Sequence, residues 1–347
     1  VYTKASLLAI LSLDCLLSAL TCIPIFLIAR KAFGERTAKW AGWIWVFFPY
    51  SIFFAADFVW ATTLSTLMMS VAFLMALYLE ESPRPWLWIG FGVMGALTAL
   101  VDPVVLSVLP VLGLWMTWRR RKDGMPWLRN ALLAAVAFLA VASPWLLRNY
   151  STFGKFIPFR GNLAFEFYCG NNADNWHWDP PGYHPSDTEK EWQEYQQLGE
   201  MGYVAHKKEQ AWAYISSHPG EYASNTVRRV VYLWTGFWSF SARYLHEEPF
   251  DGPNILFCTG LTVLTLMGLR QSFRTLGSSV AVPFALALIF FPLIYYFTHP
   301  EDYYRRPLDP ILVILAAYAL THVKKSERSP EREEEETDRY AERTLVA

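Results

Sequence analysis

Residues 5–29, ASLLAILSLDCLLSALTCIPIFLIA, are the stretch that decides the fold class. An α-helix needs about 20 mostly apolar residues to cross the hydrocarbon core of a bilayer. Backbone N–H and C=O groups find no water there, so a spanning segment must satisfy them within a helix. This stretch therefore predicts a transmembrane helix.

Further apolar blocks follow, and together they predict an all-α, polytopic membrane helix bundle of about nine transmembrane helices. Pro103 separates two short blocks, which indicates a turn between two helices. The predicted helices lie at 5–29, 40–57, 61–79, 86–101, 103–118, 127–147, 254–270, 280–297 and 308–323.

The overall composition agrees with a membrane protein. Of the 347 residues, 53% are hydrophobic and 18% are charged, whereas soluble domains carry about 25% charged residues. The formal net charge of −1 gives no reason to expect nucleic-acid binding. The four cysteines share no metal-binding spacing, so no metal site is predicted from them.

Basic residues give the orientation, because cytoplasmic loops are enriched in Lys and Arg. Threading the predicted helices places every basic cluster on one side, with the first residues outside and the C-terminus in the cytoplasm. The clusters are Arg30, Lys31, Arg36 and Lys39; Arg119, Arg120, Arg121, Lys122 and Arg129; Arg270 and Arg274; and Lys324 and Lys325.

The chain accordingly divides into four predicted regions. Residues 1–147 hold transmembrane helices 1–6, and residues 254–323 hold helices 7–9. Residues 148–253 form a mostly helical extracytoplasmic domain, which includes an apolar segment at 229–240 that we expect at the membrane interface. Residues 324–347 are rich in Glu and predict a disordered cytoplasmic tail.

Two polar clusters stand where apolar helices meet the predicted outer side, at 144–154 and 299–310. They contain Arg148, Arg305 and Arg306, with Tyr304 beside the last two. Arginine is suited to bidentate phosphate binding, so these four residues are candidate phosphate ligands. The alternative is that the arginines extend to lipid headgroups.

Several side chains are candidates for acid–base chemistry. His299 and Glu301 could act as acid, base or metal ligand, although their spacing matches no tight metal motif. Asp57 ends a predicted helix on the outer side, where it faces either a catalytic cavity or water. Asp102 precedes Pro103 and is expected to cap a helix. Asp309 is expected to cap its helix or to meet headgroups.

Three stretches together resemble the GT-C superfamily of membrane glycosyltransferases. The resemblance is to the bacterial branch related to protein O-mannosyltransferases and lipid A aminoarabinose transferases, and it covers most of residues 5–323. The stretches are ARKAFGER at 29–36 with Ala41-Gly42 and Phe48-Pro49; PWLLRNYSTFG at 144–154, followed by Gly-Asn-Asn at 170–172; and YRRPLDP at 304–310.

The resemblance implies transfer of a sugar from a polyprenyl-phosphate carrier to a lipid, glycan or protein acceptor at the outer face of the cell membrane. It also implies a main catalytic carboxylate in a first outer loop. Because the chain begins with Val1, we expect that this loop precedes it. A second acidic position of the family reads Thr62 here, which leaves Asp57 as the local carboxylate.

No cofactor is otherwise indicated, and the resemblance leaves a divalent metal open. Three alternatives to this function remain. The first is a multispan ligase or polymerase of cell-wall glycans. The second is a transporter, although the sequence shows no clear internal repeat of the kind many transporters have. The third is a catalytically silent relative.

Overall fold

Helices are the only regular secondary structure in the part of the chain that the computed structural model describes. That part comprises residues 3–173, 184–237, 242, 246 and 251–322. The all-α fold class is therefore confirmed for these residues. The predicted tail at 324–347 and the end of the predicted interfacial segment, 238–240, lie outside the described residues.

The bundle contains long and short helices in one sequential series. The α-helices are α1 (Lys4–Phe33), α2 (Glu35–Val46), α3 (Pro49–Asp57), α4 (Thr62–Leu79), α5 (Pro85–Val101), α6 (Leu109–Lys122), α7 (Leu128–Phe153), α8 (Leu163–Gly170), α9 (Glu189–Ser217), α10 (Pro219–Thr235), α11 (Asp251–Thr275), α12 (Ser278–Phe290), α13 (Leu293–Phe297) and α14 (Asp309–His322). Two 3-10 helices, Pro103–Ser107 and Asp302–Leu308, precede α6 and α14.

Five segments of the described chain are long and apolar enough to cross a membrane. They establish the coarser prediction, that of a membrane protein with several transmembrane helices. The segments are Lys4–Phe33, Thr62–Leu79, Leu128–Phe153, Gly252–Thr275 and Ser278–Phe297.

Other predicted blocks are shorter than expected or broken at a proline. The block 40–57 forms α2 and α3, and Pro49 is the first residue of the second helix. The block 103–118 forms a 3-10 turn and then α6, with Pro110 in the first turn of α6. Proline has no backbone N–H, so it fits the first turn of a helix better than the interior.

Helix α14 is the centre of the bundle. Every residue from 309 to 319 is buried, and the helix packs chiefly against α11 and α2. Its 14 residues make it roughly 21 Å long at 1.5 Å per residue. A helix enclosed by protein meets little lipid, which explains how so short an apolar block lies within the bundle.

The ends of several helices that carry basic residues meet at one end of the bundle. Lys31 pairs with Glu81 at 3.0 Å, and Arg119 pairs with Glu80 at 2.8 Å. Tyr318 of α14 lies at this end, because it stacks on Phe33 of α1 and forms a hydrogen bond with Thr275 of α11. Three of the four predicted basic clusters are therefore at the same end, while Lys324 and Lys325 lie outside the described residues.

The segment predicted as an outer domain is helical at its described residues. Helix α9 kinks at Gly199 (φ 64°). It ends at Ser217, and Pro219 begins α10. Helix α10 ends before Gly236 in the left-handed conformation, so 229–235 are its second half. Helix α7 runs to Phe153, beyond the predicted boundary at 147.

A close approach of α11 to α14 at Gly268 gives a test of this packing. A methyl group at Gly268 would collide with the carbonyl oxygen of Leu315, whereas one at Gly260 of the same helix would meet open space. We expect Gly268→Ala to lower the free energy of unfolding by roughly 1–3 kcal/mol, the usual cost of overpacking. Unfolding in mixed micelles, followed by circular dichroism, measures the loss.

The control is Gly260→Ala, which should be neutral or slightly stabilising because alanine favours helix. Equal stability of the two variants would show that α11 and α14 do not pack as described.

Candidate active site

A cavity of about 570 Å³ lies at the end of the bundle opposite the basic clusters. Its wall combines apolar surface with a few polar side chains, as is usual for small-molecule sites. It is built from the start of α4, the turn after α5, the segment leading into α8, and the region after α13. The polar and aromatic residues lining it include Trp60, Thr62, Asp102, Ser107, Phe159, Arg160, Asn162, Glu166, Tyr295, Thr298, Tyr303 and Tyr304.

Asp102 enters the cavity from the turn after α5. Its carboxylate accepts a hydrogen bond from the Val104 N–H at 3.1 Å, so the predicted cap is confirmed, for the 3-10 helix that begins at Pro103. Burial raises the pKa of the Asp102 carboxyl, while the bond from Val104 and the charge of Arg160 act the other way. Asp102 is thus fixed in place and close to a positive charge.

Glu166 projects from α8 on another side of the cavity. Asn162 donates to its Oε1 at 2.7 Å, while Oε2 lies 3.6 Å from Nε2 of His299. Burial raises the pKa of the Glu166 carboxyl, and the Asn162 bond and the charge of Arg160 offset part of that rise. A raised pKa makes the ionised carboxylate a stronger base, which suits it to accept a proton.

Arg160 is the arginine on the cavity wall. It donates to the carbonyl oxygen of Val101 at 2.6 Å, which ties it to the end of α5. The side chain remains exposed, and its charge acts on both Asp102 and Glu166. A ligand in the cavity could therefore meet two carboxyls and a guanidinium together.

His299 lies behind the wall, between Glu166 and Tyr304. Its Nδ1 is 3.3 Å from the carbonyl oxygen of Glu166, and the hydroxyl of Tyr304 is 3.5 Å from its Nε2. A carbonyl oxygen only accepts, so this contact favours a proton on Nδ1 and a lone pair on Nε2. Burial lowers the pKa of His299 to about 4, so the ring is neutral at neutral pH.

Aromatic rings form the rest of the wall. Trp60 stacks on Tyr303 at 5.1 Å between ring centroids, and Tyr295 stacks on Tyr304 at 4.9 Å. Such rings offer flat apolar faces together with polar edges. The cavity can therefore hold a ligand that is itself both apolar and polar.

Arg305 and Arg306, predicted as phosphate ligands, are buried beside Asp309. Arg305 Nε is 3.3 Å and Arg306 Nη1 is 2.8 Å from the Asp309 carboxylate. Arg306 lines two cavities of only about 20 and 10 Å³, and Arg305 lines the smaller one. Each cavity has room for roughly one water molecule. The larger of these shares Thr62 with the main cavity.

The other predicted site residues are distributed around this end of the bundle. Asp57 is exposed at the end of α3. Arg148 is exposed and lies over the ring of Trp145 at 5.2 Å. Glu301 is half-buried and lines the 10 Å³ cavity together with Arg305. Of the predicted set, Tyr304 lines the main cavity and His299 supports it.

Sequence reasoning missed Glu166 and Arg160 as site residues. Each has a local signal that could have been noticed. Glu166 is the lone carboxylate in the aromatic run LAFEFYCG, and an acidic residue among apolar ones usually has a function or a partner. Arg160 follows Pro158-Phe159 directly before a glycine, in a loop that leads back to the bundle.

No known protein family, curated protein or solved structure matches this chain. Among the described residues, no group of three or more His, Cys, Asp or Glu side chains is arranged to hold a metal ion. The site is therefore interpreted from its own geometry.

The neutral state of His299 makes stability depend on pH. In the unfolded chain its pKa returns to about 6.5, so the unfolded state binds more protons than the folded state between pH 6.5 and about 4. We expect the free energy of unfolding to fall over this window as the pH is lowered, by an amount on the order of 3 kcal/mol. Chemical unfolding at a series of pH values measures it.

The matched variant is His299→Gln, whose amide can still donate to the Glu166 carbonyl. Glu166 contributes a slope of the opposite sign, because its folded pKa is raised, so the difference between the two proteins isolates the histidine. A difference that does not change with pH would show that His299 is not held neutral.

Proposed function

We propose that the chain is a glycosyltransferase that moves a sugar from a polyprenyl-phosphate carrier to a lipid, glycan or protein acceptor at the outer face of the cell membrane. It would cross the membrane about nine times. The basic clusters and the C-terminus would be cytoplasmic, and the large cavity and the domain at 148–253 would face outward.

The observation that carries the proposal is the large cavity itself. It brings together two carboxyls, Asp102 and Glu166, with Arg160 and a wall of aromatic rings. It lies at the end opposite the basic clusters, where a sugar carried by a membrane lipid would be presented. This combination suits a ligand with an anionic group and a sugar ring.

The chemistry needs a base and a positive charge. In the proposed reaction, an acceptor O–H or N–H attacks the anomeric carbon, and the bond from that carbon to the phosphate oxygen breaks. The bonding pair leaves with the phosphate, whose growing negative charge faces Arg160. Glu166, ionised beforehand, takes the acceptor proton. Asp102 holds the opposite wall and is the second candidate base.

The residues predicted from the sequence take different parts in this proposal. Tyr304 contributes to the aromatic wall, and His299 supports Glu166 from behind. Arg305 and Arg306 are bound to Asp309 beneath the cavity, and we assign the phosphate contact to Arg160 because it is the arginine that the main cavity exposes. Asp57 and Arg148 lie outside the cavity wall.

The proposal is tested by transfer of labelled sugar from a polyprenyl-phosphate donor, using membranes that contain the full-length protein. We expect Glu166→Gln to reduce the rate by about 100-fold or more, as loss of a general base does. Arg160→Gln should reduce it by roughly 100-fold, because the leaving phosphate loses its positive partner.

Two exposed residues provide matched controls. Glu200→Gln on α9 and Arg228→Gln on α10 remove the same charges away from the cavity, and both should transfer at the wild-type rate. Full activity of Glu166→Gln and Arg160→Gln would reject the cavity as the active site. Transfer of only long glycans would favour the ligase or polymerase alternative.

The proposed orientation has its own test with single cysteines. In a background where Cys15 is replaced by serine, Lys155→Cys should react with a membrane-impermeant thiol reagent on intact cells. Lys122→Cys, from a basic cluster, should react only after permeabilisation. Both positions are exposed, so burial does not limit either reaction. The reverse pattern would invert the topology and put the cavity in the cytoplasm.

A further inference from the structure

We infer that Arg229 is a positioning residue that holds Glu166 against His299 by fastening two backbone segments together. The inference concerns a residue outside the cavity, and it rests on the proposed function only in giving Glu166 a role in transfer. Arg229 lies on α10, two helices after Glu166 on α8, and three helices, α11 to α13, separate it from His299.

Arg229 is buried, with 4% of its surface exposed. No carboxylate among the described residues forms an ion pair with it. Its guanidinium instead donates to oxygen atoms of two segments. Nη1 lies 3.4 Å from the carbonyl oxygen of Tyr296 and 3.3 Å from that of Phe297. Nη2 donates to the carbonyl oxygen of Gly170, and to Oδ1 of Asn171 at 3.1 Å.

These oxygen atoms belong to the segments that carry the site. Gly170 and Asn171 end α8, one helical turn after Glu166. Tyr296 and Phe297 end α13, directly before Thr298 and His299. Arg229 therefore joins the end of one segment to the end of the other.

The two segments also touch each other directly, and Gly170 is what permits this. A methyl group at Gly170 would collide with the carbonyl oxygen of Thr298. Asn171 adds a second bridge, because its Nδ2 donates to the carbonyl oxygens of Phe167 at 2.8 Å and Phe297 at 2.9 Å. The approach is close, and it is held by side chains from α10 and α8.

A guanidinium is suited to this task because it is planar and offers five donors in a fixed arrangement. Burial lowers the pKa of Arg229 to about 10, which is still above neutral pH, so the charge persists. A lysine would bring one ammonium group, which cannot face both pairs of acceptors at once. The position thus requires arginine chemistry, although no substrate reaches it.

Loss of the Arg229 hydrogen bonds should let α8 move relative to the end of α13. Glu166 would then lose its fixed position relative to His299, whose Nδ1 faces the Glu166 carbonyl oxygen, and relative to the tyrosine side chains on the other part of the cavity wall. Misplacement of a catalytic group by about 1 Å can lower a rate on the order of 100-fold. Because Arg229 does not touch the substrate, the effect should fall on kcat much more than on KM.

The test compares Arg229→Met with Arg228→Met, its exposed neighbour on the same helix. Full-length protein in membranes is assayed for kcat and KM of sugar transfer. In parallel, labelling of the native cysteines by a maleimide is mapped by mass spectrometry. Cys169, next to Gly170, is 9% exposed and reports on the contact between the ends of α8 and α13. Cys258, buried in the bundle, is 2% exposed and reports on global unfolding.

In Arg229→Met, we expect the maleimide to label Cys169 about 10-fold faster than in the wild type, while Cys258 stays protected. We expect kcat to fall by roughly 100-fold. Arg228→Met should behave like the wild type in all three measurements. In a double variant with Glu166→Gln, Arg229→Met should lower kcat little further, because both changes act through the same group. Wild-type kcat and wild-type Cys169 labelling in Arg229→Met would overturn the inference.

If Arg229→Met also exposes Cys258, that variant has unfolded, and Arg229→Lys is tested in its place because it keeps the charge and most of the bulk. Faster labelling of Cys169 alone, with a lower kcat, supports the positioning role, and wild-type values reject it. If the wild-type protein transfers no sugar at all, the proposed function fails. The labelling of Cys169 still decides whether Arg229 joins the two segments.

Discussion

Two buried ion pairs, from Arg305 and from Arg306 to the carboxylate of Asp309, fix the start of the central helix. Arg305 also donates to the carbonyl oxygen of Leu233 on α10 at 2.9 Å, and Arg306 lies 3.7 Å from the centre of the Tyr50 ring on α3. Removal of Asp309 would leave the two buried guanidinium groups without their carboxylate, and breaking a buried pair in this way costs about 3–5 kcal/mol. These ion pairs and contacts therefore connect the central helix to α10 and α3.

The polar residues of the site differ in how far they could be predicted. The cap by Asp102 depends on the residue that follows it, and the pairing of Asp309 with two arginines depends on neighbours three and four residues away. Both interactions are local enough to be predicted from the sequence, although the sequence analysis predicts only the cap. The contact between Glu166 and His299 joins residues 133 positions apart, and no local pattern reports on it.

Most of the long helices could be predicted because the bilayer imposes its constraint on each segment separately. The positions at which helices end are harder to predict, since a proline here lies either inside a helix or at the start of a new one. Pro24 and Pro144 lie inside the long helices α1 and α7, whereas Pro49 begins a new helix. The residue type is the same, and the packing of neighbouring helices decides between continuing and turning. The enclosure of the short helix α14 likewise depends on its neighbours.

The bare backbone at Gly170 has an evolutionary consequence. A descendant of this protein cannot acquire a side chain there unless α8 moves away from Thr298, and such a move would also withdraw the acceptors of Arg229. Gly170, Asn171 and Arg229 should therefore be inherited as a set, and they should be lost together in relatives that lack the contact between α8 and α13. Such a shared pattern would identify distant relatives even where the apolar helices have diverged beyond recognition.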